Sequence, residues 1–133
     1  MIPLGPFTLT NMIGCGGMAE VWAGYHKQGL PVAVKILTHK NTRHPLFHTA
    51  FQKEVQAAAR LNHKHIIRVF DYGQISAETQ ASSNLRLLKG SPYLVMELIE
   101  GGTLRSRRGR MRWGELKKCL LSLLSAIAHA HAC

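Results

Sequence analysis

A cluster of glycines near the N-terminus is the first feature of the sequence that could do chemistry. The segment from Ile13 to Val21 reads IGCGGMAEV, and it holds Gly14, Gly16 and Gly17 within four positions. Glycine lacks a side chain, so a loop built from it bends tightly and brings its backbone N–H groups close to a bound anion. The segment fits a simple hairpin turn, but it equally fits a loop that binds phosphate.

A lysine in an apolar strand pattern strengthens the phosphate interpretation. Lys35 ends the run VAVK, and alternation along a strand places it on the same face as Ala33. An inward-facing lysine beside a small residue is unusual in a plain sheet. It is understandable if an anionic ligand lies there, and a buried lysine also needs a carboxylate partner. Glu54, in the apolar helical pattern that follows, is the candidate partner.

The charge balance favours anionic ligands and limits the available chemistry. The 133 residues contain 17 Lys and Arg against 7 Asp and Glu, a net charge of +10. Such a charge favours contact with phosphates, nucleic acid or acidic surfaces. Asp71 is the only aspartate, so carboxylates are scarce for any reaction that needs several. A hydrophobic fraction of 46% indicates a globular chain of ordinary domain size rather than disorder.

The order of predicted elements is typical of an α+β fold with an antiparallel sheet. Five apolar segments with turn signals between them predict five strands: Phe7–Ile13, Val21–Tyr25, Pro31–Leu37, Ile66–Tyr72 and Tyr93–Leu98. Helical periodicity predicts two helices, at Phe51–Leu61 and Glu115–Ala132. The second helix carries a leucine-rich face.

Two segments stand apart from this pattern. Residues 74–90 are polar, and their length predicts a mobile loop. Residues 105–112 hold five arginines, and the wider segment 103–118 carries a net charge of +6. Nucleic acid could bind there, but only Trp113 is interleaved as an aromatic residue. A solvated surface, or one that faces an acidic substrate, is the favoured interpretation.

Together these motifs resemble the N-terminal lobe of the protein kinase fold, in particular the eukaryotic-type serine/threonine kinases of bacteria. The resemblance runs from about Phe7 to Cys133. Beyond the glycine-rich loop, VAVK and Glu54, it includes three further segments: His63–Ile67 before the fourth strand, Tyr93–Leu104 as fifth strand and hinge, and Leu124–His131 near the end of the helix called αE. It implies a twisted five-stranded sheet with an αC helix, followed by αD and αE helices.

The resemblance also implies a role for each matching residue. The loop over the ATP phosphates would comprise Gly14, Cys15, Gly16, Gly17, Met18 and Ala19, and Ala19 replaces the family's third glycine. The adenine would pack on Ile13, Val21 and Ala33, with Met96 as gatekeeper at the back of the pocket. Lys35 would hold the α- and β-phosphates and pair with Glu54. The backbone of Glu97 and Ile99 would hydrogen-bond the adenine edge.

The family's chemistry needs residues that this sequence lacks. Neither the His-Arg-Asp nor the Asp-Phe-Gly motif is present, so the catalytic loop and the Mg²⁺ ligands are missing. Residues 1–102 are therefore expected to form the N-lobe with its hinge, and residues 103–133 the beginning of a C-lobe truncated before the catalytic loop. The expected function is the ATP-binding portion of a serine/threonine kinase, whose full-length relatives phosphorylate protein substrates. This chain alone is expected not to catalyse that transfer.

Three alternatives stay open. The chain is either a truncated kinase or a naturally short kinase-like protein that works by binding nucleotide or a partner without catalysis. A basic nucleic-acid-binding protein is the third alternative, and the absence of a nucleic-acid motif weighs against it.

Several other site classes and compartments are disfavoured. Three separated cysteines without a CxxC pair predict neither a disulfide framework nor a zinc site, and they favour the cytoplasm. No signal peptide and no membrane segment are expected. His129 and His131 point apart on a helix, so no metal is expected there. The apolar face of the last helix predicts self-association, through Leu116, Leu120, Leu123, Leu124 and Ile127.

Overall fold

Alternating apolar residues near the N-terminus form the first part of a curled sheet. The computed structural model describes all 133 residues. Its strands are β1 (Ile2–Leu4), β2 (Phe7–Cys15), β3 (Ala19–His26), β4 (Pro31–Leu37), β5 (Val69–Gln74) and β6 (Pro92–Glu97). Every neighbouring pair is antiparallel, and the spatial order is β1-β2-β3-β4-β6-β5. The expected antiparallel α+β architecture is confirmed.

The sheet has six strands, so the expectation of five was wrong by one. The additional strand, β1, is only three residues long and contains a proline, which hides it from a search for alternating apolar residues. A tight turn with Gly5 at φ 55° returns the chain into β2, where Leu4 lies opposite Phe7. Both of these side chains are buried in the core.

Helices occupy the connections and the C-terminal part. Their bounds are α1 (Pro45–Ala59), α2 (Ala77–Ser82) and α3 (Trp113–Ala132), with single 3₁₀ turns at Lys40–Arg43 and Leu104–Arg107. Pro45 begins α1 where its missing N–H costs nothing, and His44 Nδ1 accepts a hydrogen bond from the Leu46 N–H at 3.2 Å. The expected αC helix is therefore present as α1 but starts six residues earlier than its apolar periodicity indicated. The expected αD helix is reduced to the 3₁₀ turn at Leu104–Arg107.

The hydrophobic core lies on one face of the sheet. Val32, Val34 and Ile36 alternate along β4 and are fully buried, with Trp22 and Val95 beside them on the neighbouring strands. Val55, the one buried residue of α1, is not part of this cluster. The α1 helix instead packs near β5 and β6.

Residues 74–90, expected to be a mobile polar loop, fold over the core. Ile75 and Leu87 are each 1% exposed and complete the buried cluster. The polar side chains satisfy the local backbone: Ser76 caps α2, Thr79 donates to the Pro3 carbonyl at 2.8 Å, and the Ser83 hydroxyl accepts from the Leu87 N–H at 3.0 Å. The polar composition of residues 74–90 gave no sign of this packing, because only two apolar side chains, twelve positions apart, anchor the segment to the core. We call residues 74–90 the lid.

The C-terminal helix keeps its leucine-rich face in solvent. Ala126 is its only buried residue, while Leu116, Leu120, Leu123, Leu124 and Ile127 are 38 to 61% exposed. The α3 helix meets the rest of the chain at residue 63, where the Ser125 hydroxyl lies 2.9 Å from His63 Nε2. No helix of the chain combines the length and the apolar character needed to cross a bilayer.

Candidate nucleotide site

The glycine-rich loop is the tip of the β2–β3 hairpin. Cys15 lies opposite Glu20 at the end of the paired region, and the Gly16 N–H donates to the Ala19 carbonyl at 2.9 Å. The Thr38 N–H donates to the Met18 carbonyl at 3.0 Å, which ties the tip to the end of β4. The predicted loop residues from Gly14 to Ala19 are therefore all at this tip. Cys15, Gly16, Gly17 and Met18 are exposed.

The fold itself does not require glycine at the tip. Gly16 and Gly17 have no positive φ, and a Cβ on Gly17 would meet nothing within 4 Å. A Cβ on Gly16 would only reach the Ala19 carbonyl oxygen at 3.9 Å, an ordinary contact. Two glycines that neither backbone conformation nor packing demands are consistent with a loop whose bare backbone approaches a ligand.

Two cross-strand rows place the predicted adenine and phosphate residues on one face. Lys35 lies between Val21 on β3 and Leu94 on β6, and Ala33 lies between Ala23 and Met96. This face is opposite to the one that holds Val34 and the core. Val21, Ala33, Lys35 and Met96 therefore lie on one face of three adjacent strands.

The expected ion pair between Lys35 and Glu54 is absent. Both side chains are exposed, and no carboxylate lies within 4.0 Å of the lysine ammonium. The Lys35 side chain is exposed, so water solvates its ammonium group. Because the ammonium is not desolvated, it does not need a carboxylate partner. The prediction of a buried lysine paired with Glu54 was wrong for this structure, and Lys35 is a free cation.

The segment after β6 offers unpaired backbone groups at the cleft. The Arg68 N–H donates to Glu97 Oε1 at 2.8 Å, and the Glu97 N–H donates to the Arg68 carbonyl at 3.0 Å, which fixes the end of the strand. Ile99 is 62% exposed, and neither its N–H nor its carbonyl makes a hydrogen bond within the chain. Free backbone donors and acceptors are what an adenine edge requires.

A cavity of about 670 Å³ joins the hairpin to this segment. Of the nine residues that line it, Ile13 and Ile99 were predicted as site residues. The other seven were not: Asn11, Ala23, Leu98, Glu100, Gly101, Gly102 and Thr103. Ala23 could have been predicted from the sequence, because it follows Val21 by two positions on the same strand and therefore lies on the same face as Val21.

The single aspartate is on the wrong face for phosphate chemistry. Asp71 pairs in register with Val95, on the core side of the sheet, whereas Lys35 pairs with Leu94 on the other side. The Asp71 carboxylate accepts a hydrogen bond from the Tyr72 N–H at 2.8 Å. Burial raises the pKa of Tyr93 above its ordinary value, and the Asp71 carboxylate raises it further.

Nowhere in the chain do three His, Cys, Asp or Glu side chains converge in a way that could hold a metal ion.

Comparisons with known proteins identify the family and the fold of the chain. The family model described as protein kinase domain matches residues 7–133. The probable serine/threonine-protein kinase PknB of Bifidobacterium longum is 31% identical over 131 residues, which cover 96% of this chain and 18% of that protein. Serine/threonine-protein kinase PknA of Mycobacterium tuberculosis is 36% identical over 132 residues, which cover 96% of this chain and 29% of PknA.

A solved structure shows the same fold. The kinase domain of Mycobacterium tuberculosis PknI superposes with a TM-score of 0.73 at 25% identity, over 98% of this chain and 50% of that domain. The chain thus spans less than a third of the two curated relatives and half of the solved domain. The resemblance inferred from the motifs is confirmed: the chain belongs to the protein kinase family and corresponds to part of a serine/threonine kinase domain.

Proposed function

We propose that these residues form the ATP-binding portion of a serine/threonine protein kinase. The observation that carries the proposal is the juxtaposition of an unpaired Lys35 with a glycine-rich tip whose glycines the fold does not itself require. A free ammonium and exposed backbone N–H groups are the two donor types that bind a polyphosphate. The residues expected to contact the phosphates are Gly14, Cys15, Gly16, Gly17, Met18, Ala19 and Lys35.

The adenine would occupy the adjacent cavity. Ile13 and Ile99 line this cavity. Val21, Ala33 and Met96 lie outside its lining on adjacent strands and would add apolar surface, while the backbone of Glu97 and Ile99 would supply the polar edge. The cavity is open, so little adenine surface is removed from water and this half of the site contributes weakly. Binding should therefore depend mainly on the phosphates, with ATP and ADP favoured over adenosine.

Phosphoryl transfer by these residues alone is not expected. ATP is used with Mg²⁺ in this family, but the donor set does not fit that ion here, because Asp71 is on the core face and no cluster of ligands converges. A residue that orients the acceptor hydroxyl is also missing, since the sequence has no His-Arg-Asp motif. Residues 1–102 would serve as the nucleotide-binding lobe, and residues 103–133 as the start of the substrate-binding lobe. A cytoplasmic location stays a prediction.

A titration with matched variants tests the proposal. We expect the 133-residue chain to bind ATP more tightly than adenosine at low salt, as measured by calorimetry. Lys35→Met should weaken ATP binding by about tenfold or more, since it removes a charge-assisted contact while keeping similar bulk. Lys27→Met removes an exposed lysine in the turn that follows β3, at the end away from the glycine-rich tip, and should leave ATP binding unchanged. Equal affinity for ATP in Lys35→Met and the unmodified chain would refute the proposal.

A transfer assay separates this proposal from an active enzyme. With labelled ATP, Mg²⁺ and a generic basic protein, we expect no transfer above the Lys35→Met background. Transfer above that background would show that the chain carries catalytic groups that the sequence motifs do not reveal. A nucleotide-binding module without catalytic activity would give the same results in both assays, namely ATP binding that depends on Lys35 and no phosphoryl transfer.

A further inference from the structure

We propose that Arg86, on the lid, is a positioning residue that orients the glycine-rich tip for phosphate binding. The inference rests on the proposed function, because it concerns the loop that would hold the phosphates. Arg86 acts from the core face of the sheet, opposite to the face that carries Lys35.

Arg86 makes three contacts with the β2–β3 hairpin. Its guanidinium carbon lies 5.2 Å from the centre of the Trp22 ring, within range of a cation–π interaction. Its Nη2 atom lies 3.8 Å from Glu20 Oε1 and donates to Met12 Sδ at 3.5 Å. Met12 belongs to β2, whereas Glu20 and Trp22 belong to β3. One side chain therefore joins the lid to both strands of the hairpin.

The hairpin is irregular at the place where Arg86 meets it. Met12 pairs with Trp22, and Cys15 pairs with Glu20, so β2 advances three positions while β3 advances only two. Such a bulge interrupts the hydrogen-bond ladder and bends its strand, so pairing alone does not fix the direction of the tip. Arg86 contacts residues on both sides of the bulge and therefore spans it.

Glu20 carries this restraint to the tip. Its side chain is only 17% exposed, and a partly buried carboxylate needs hydrogen-bond and charge partners. The Trp22 Nε1–H donates to Glu20 Oε2 at 3.1 Å, and Arg86 supplies the positive charge at the other oxygen. Glu20 directly follows Ala19, whose carbonyl accepts the hydrogen bond from the Gly16 N–H. Holding Glu20 in place therefore holds the tip.

The lid adopts a strained backbone just before Arg86. Asn84 and Leu85 have φ values of 54° and 63°, and they are the only non-glycine residues of the chain with positive φ. Residues with a side chain rarely adopt this conformation, and it persists where the surroundings hold it. Leu85 is 64% exposed, so its own packing does not hold the turn. The next two residues, Arg86 and the buried Leu87, are the ones anchored to the sheet.

Two variants of opposite charge test the proposal by ATP titration of the chain. Arg86→Met removes a positive charge, whereas Glu20→Gln removes a negative charge and keeps an acceptor for Trp22. Long-range charge alone would weaken ATP binding in the first variant and tighten it in the second. A positioning role predicts that both variants bind ATP about threefold more weakly or worse, with adenosine affinity unchanged.

Lys89→Met is the matched control. It removes an exposed lysine from the same lid, and this lysine has no ion pair. We expect it to leave ATP affinity unchanged. The double variant of Arg86→Met and Glu20→Gln should bind ATP about as weakly as either single variant, because both act through one contact.

Backbone ¹⁵N relaxation without nucleotide separates positioning from general stability. We expect lower order parameters at residues 14–19 in Arg86→Met and in Glu20→Gln, and unchanged values around Gly29 in the turn at the other end of β3. The unfolding temperature of both variants should fall only slightly, because a half-exposed ion pair contributes little to stability.

The outcomes separate this inference from the proposed nucleotide site. If ATP binding depends on Lys35 but Arg86→Met changes neither ATP affinity nor the order of the tip, the inference is wrong while the nucleotide site stands. Tighter ATP binding in Glu20→Gln, or equal effects of Lys89→Met and Arg86→Met, would also overturn it. If the unmodified chain does not bind ATP, the proposed function fails, and the relaxation data still decide whether Arg86 orders the tip. If Arg86→Met does not fold, the isosteric Glu20→Gln decides.

Discussion

Lys35 on β4 and Glu54 on α1 are both exposed to solvent and do not touch, with no carboxylate within 4.0 Å of the lysine. Their separation leaves the ammonium free to meet a ligand. Glu54 therefore contributes no ion pair with Lys35 to the folding stability of the ligand-free chain. The lysine, the glycine-rich tip and the unpaired backbone of Ile99 are the groups that the proposed nucleotide site would use.

Glu54→Gln should be nearly silent. Since no ion pair exists to be broken, we expect the unfolding temperature to stay the same and the affinity for ATP to change by less than about twofold. Scanning calorimetry and an ATP titration measure these two quantities. A clear fall in the unfolding temperature would mean that Glu54 has a partner in solution that the structure does not show.

Two glycines should respond to alanine in opposite ways. A Cβ on Gly24 would overlap the Thr8 carbonyl oxygen on the neighbouring strand, so the β2–β3 pairing must shift. We expect Gly24→Ala to lose about 2 kcal/mol or more of folding free energy. A Cβ on Gly17 meets nothing, so Gly17→Ala should keep its stability and lose ATP affinity. Denaturant unfolding and ATP titration give both readouts. Loss of stability in Gly17→Ala with ATP affinity retained would assign that glycine to the fold instead.

The lid formed by residues 74–90 should contribute to global stability. Leu87 is 1% exposed in the core, whereas Leu85, two positions earlier, is 64% exposed. Leu87→Ala should cost about 3 kcal/mol because it leaves a cavity, and Leu85→Ala should cost little. Urea unfolding compares the two. Equal, small losses would indicate that the lid is detached from the sheet in solution.

The contact between residue 63 and α3 should make stability depend on pH. Partial burial lowers the pKa of His63 below its ordinary value of 6.5. Nearby positive charges lower it further, from His129, His65 and Lys64. As the pH falls below about 6.5, His63 therefore binds a proton more readily in the unfolded chain than in the folded one. The contribution of His63 to folding stability is present above pH 6.5 and is lost as the pH falls below it.

His63→Gln should flatten this dependence because it cannot be charged. The matched control is His131→Gln, at an exposed position on α3 whose side chain makes no hydrogen bond. Unfolding temperatures between pH 5.5 and 7.5 measure the effect. A slope that is equal in His63→Gln and the parent would remove this histidine from the explanation.

Sequence reasoning succeeded where the local pattern and the tertiary environment agree. The alternation around Lys35 and Ala33 fixed the face that each side chain takes, and the structure places both as expected. It failed for the lid, because a polar segment was anchored by Ile75 and Leu87 alone. The absence of an ion pair between Lys35 and Glu54 could not be predicted either, since it depends on how α1 is placed against the sheet. That placement is a tertiary property rather than a local one.

Backbone amide NMR during nucleotide titration tests the central claim most directly, because it separates binding at the glycine-rich tip from adventitious binding of phosphate to residues 103–118, here called the basic segment. We expect ATP to shift the amides of Gly14 to Ala19 and of Lys35 at lower concentrations than it shifts residues 103–118. Adenosine should bind more weakly and shift mainly the amides around Ile99. If ATP shifted only the basic segment, or if adenosine bound as tightly as ATP, the assignment of the glycine-rich tip and Lys35 to phosphate binding would be contradicted.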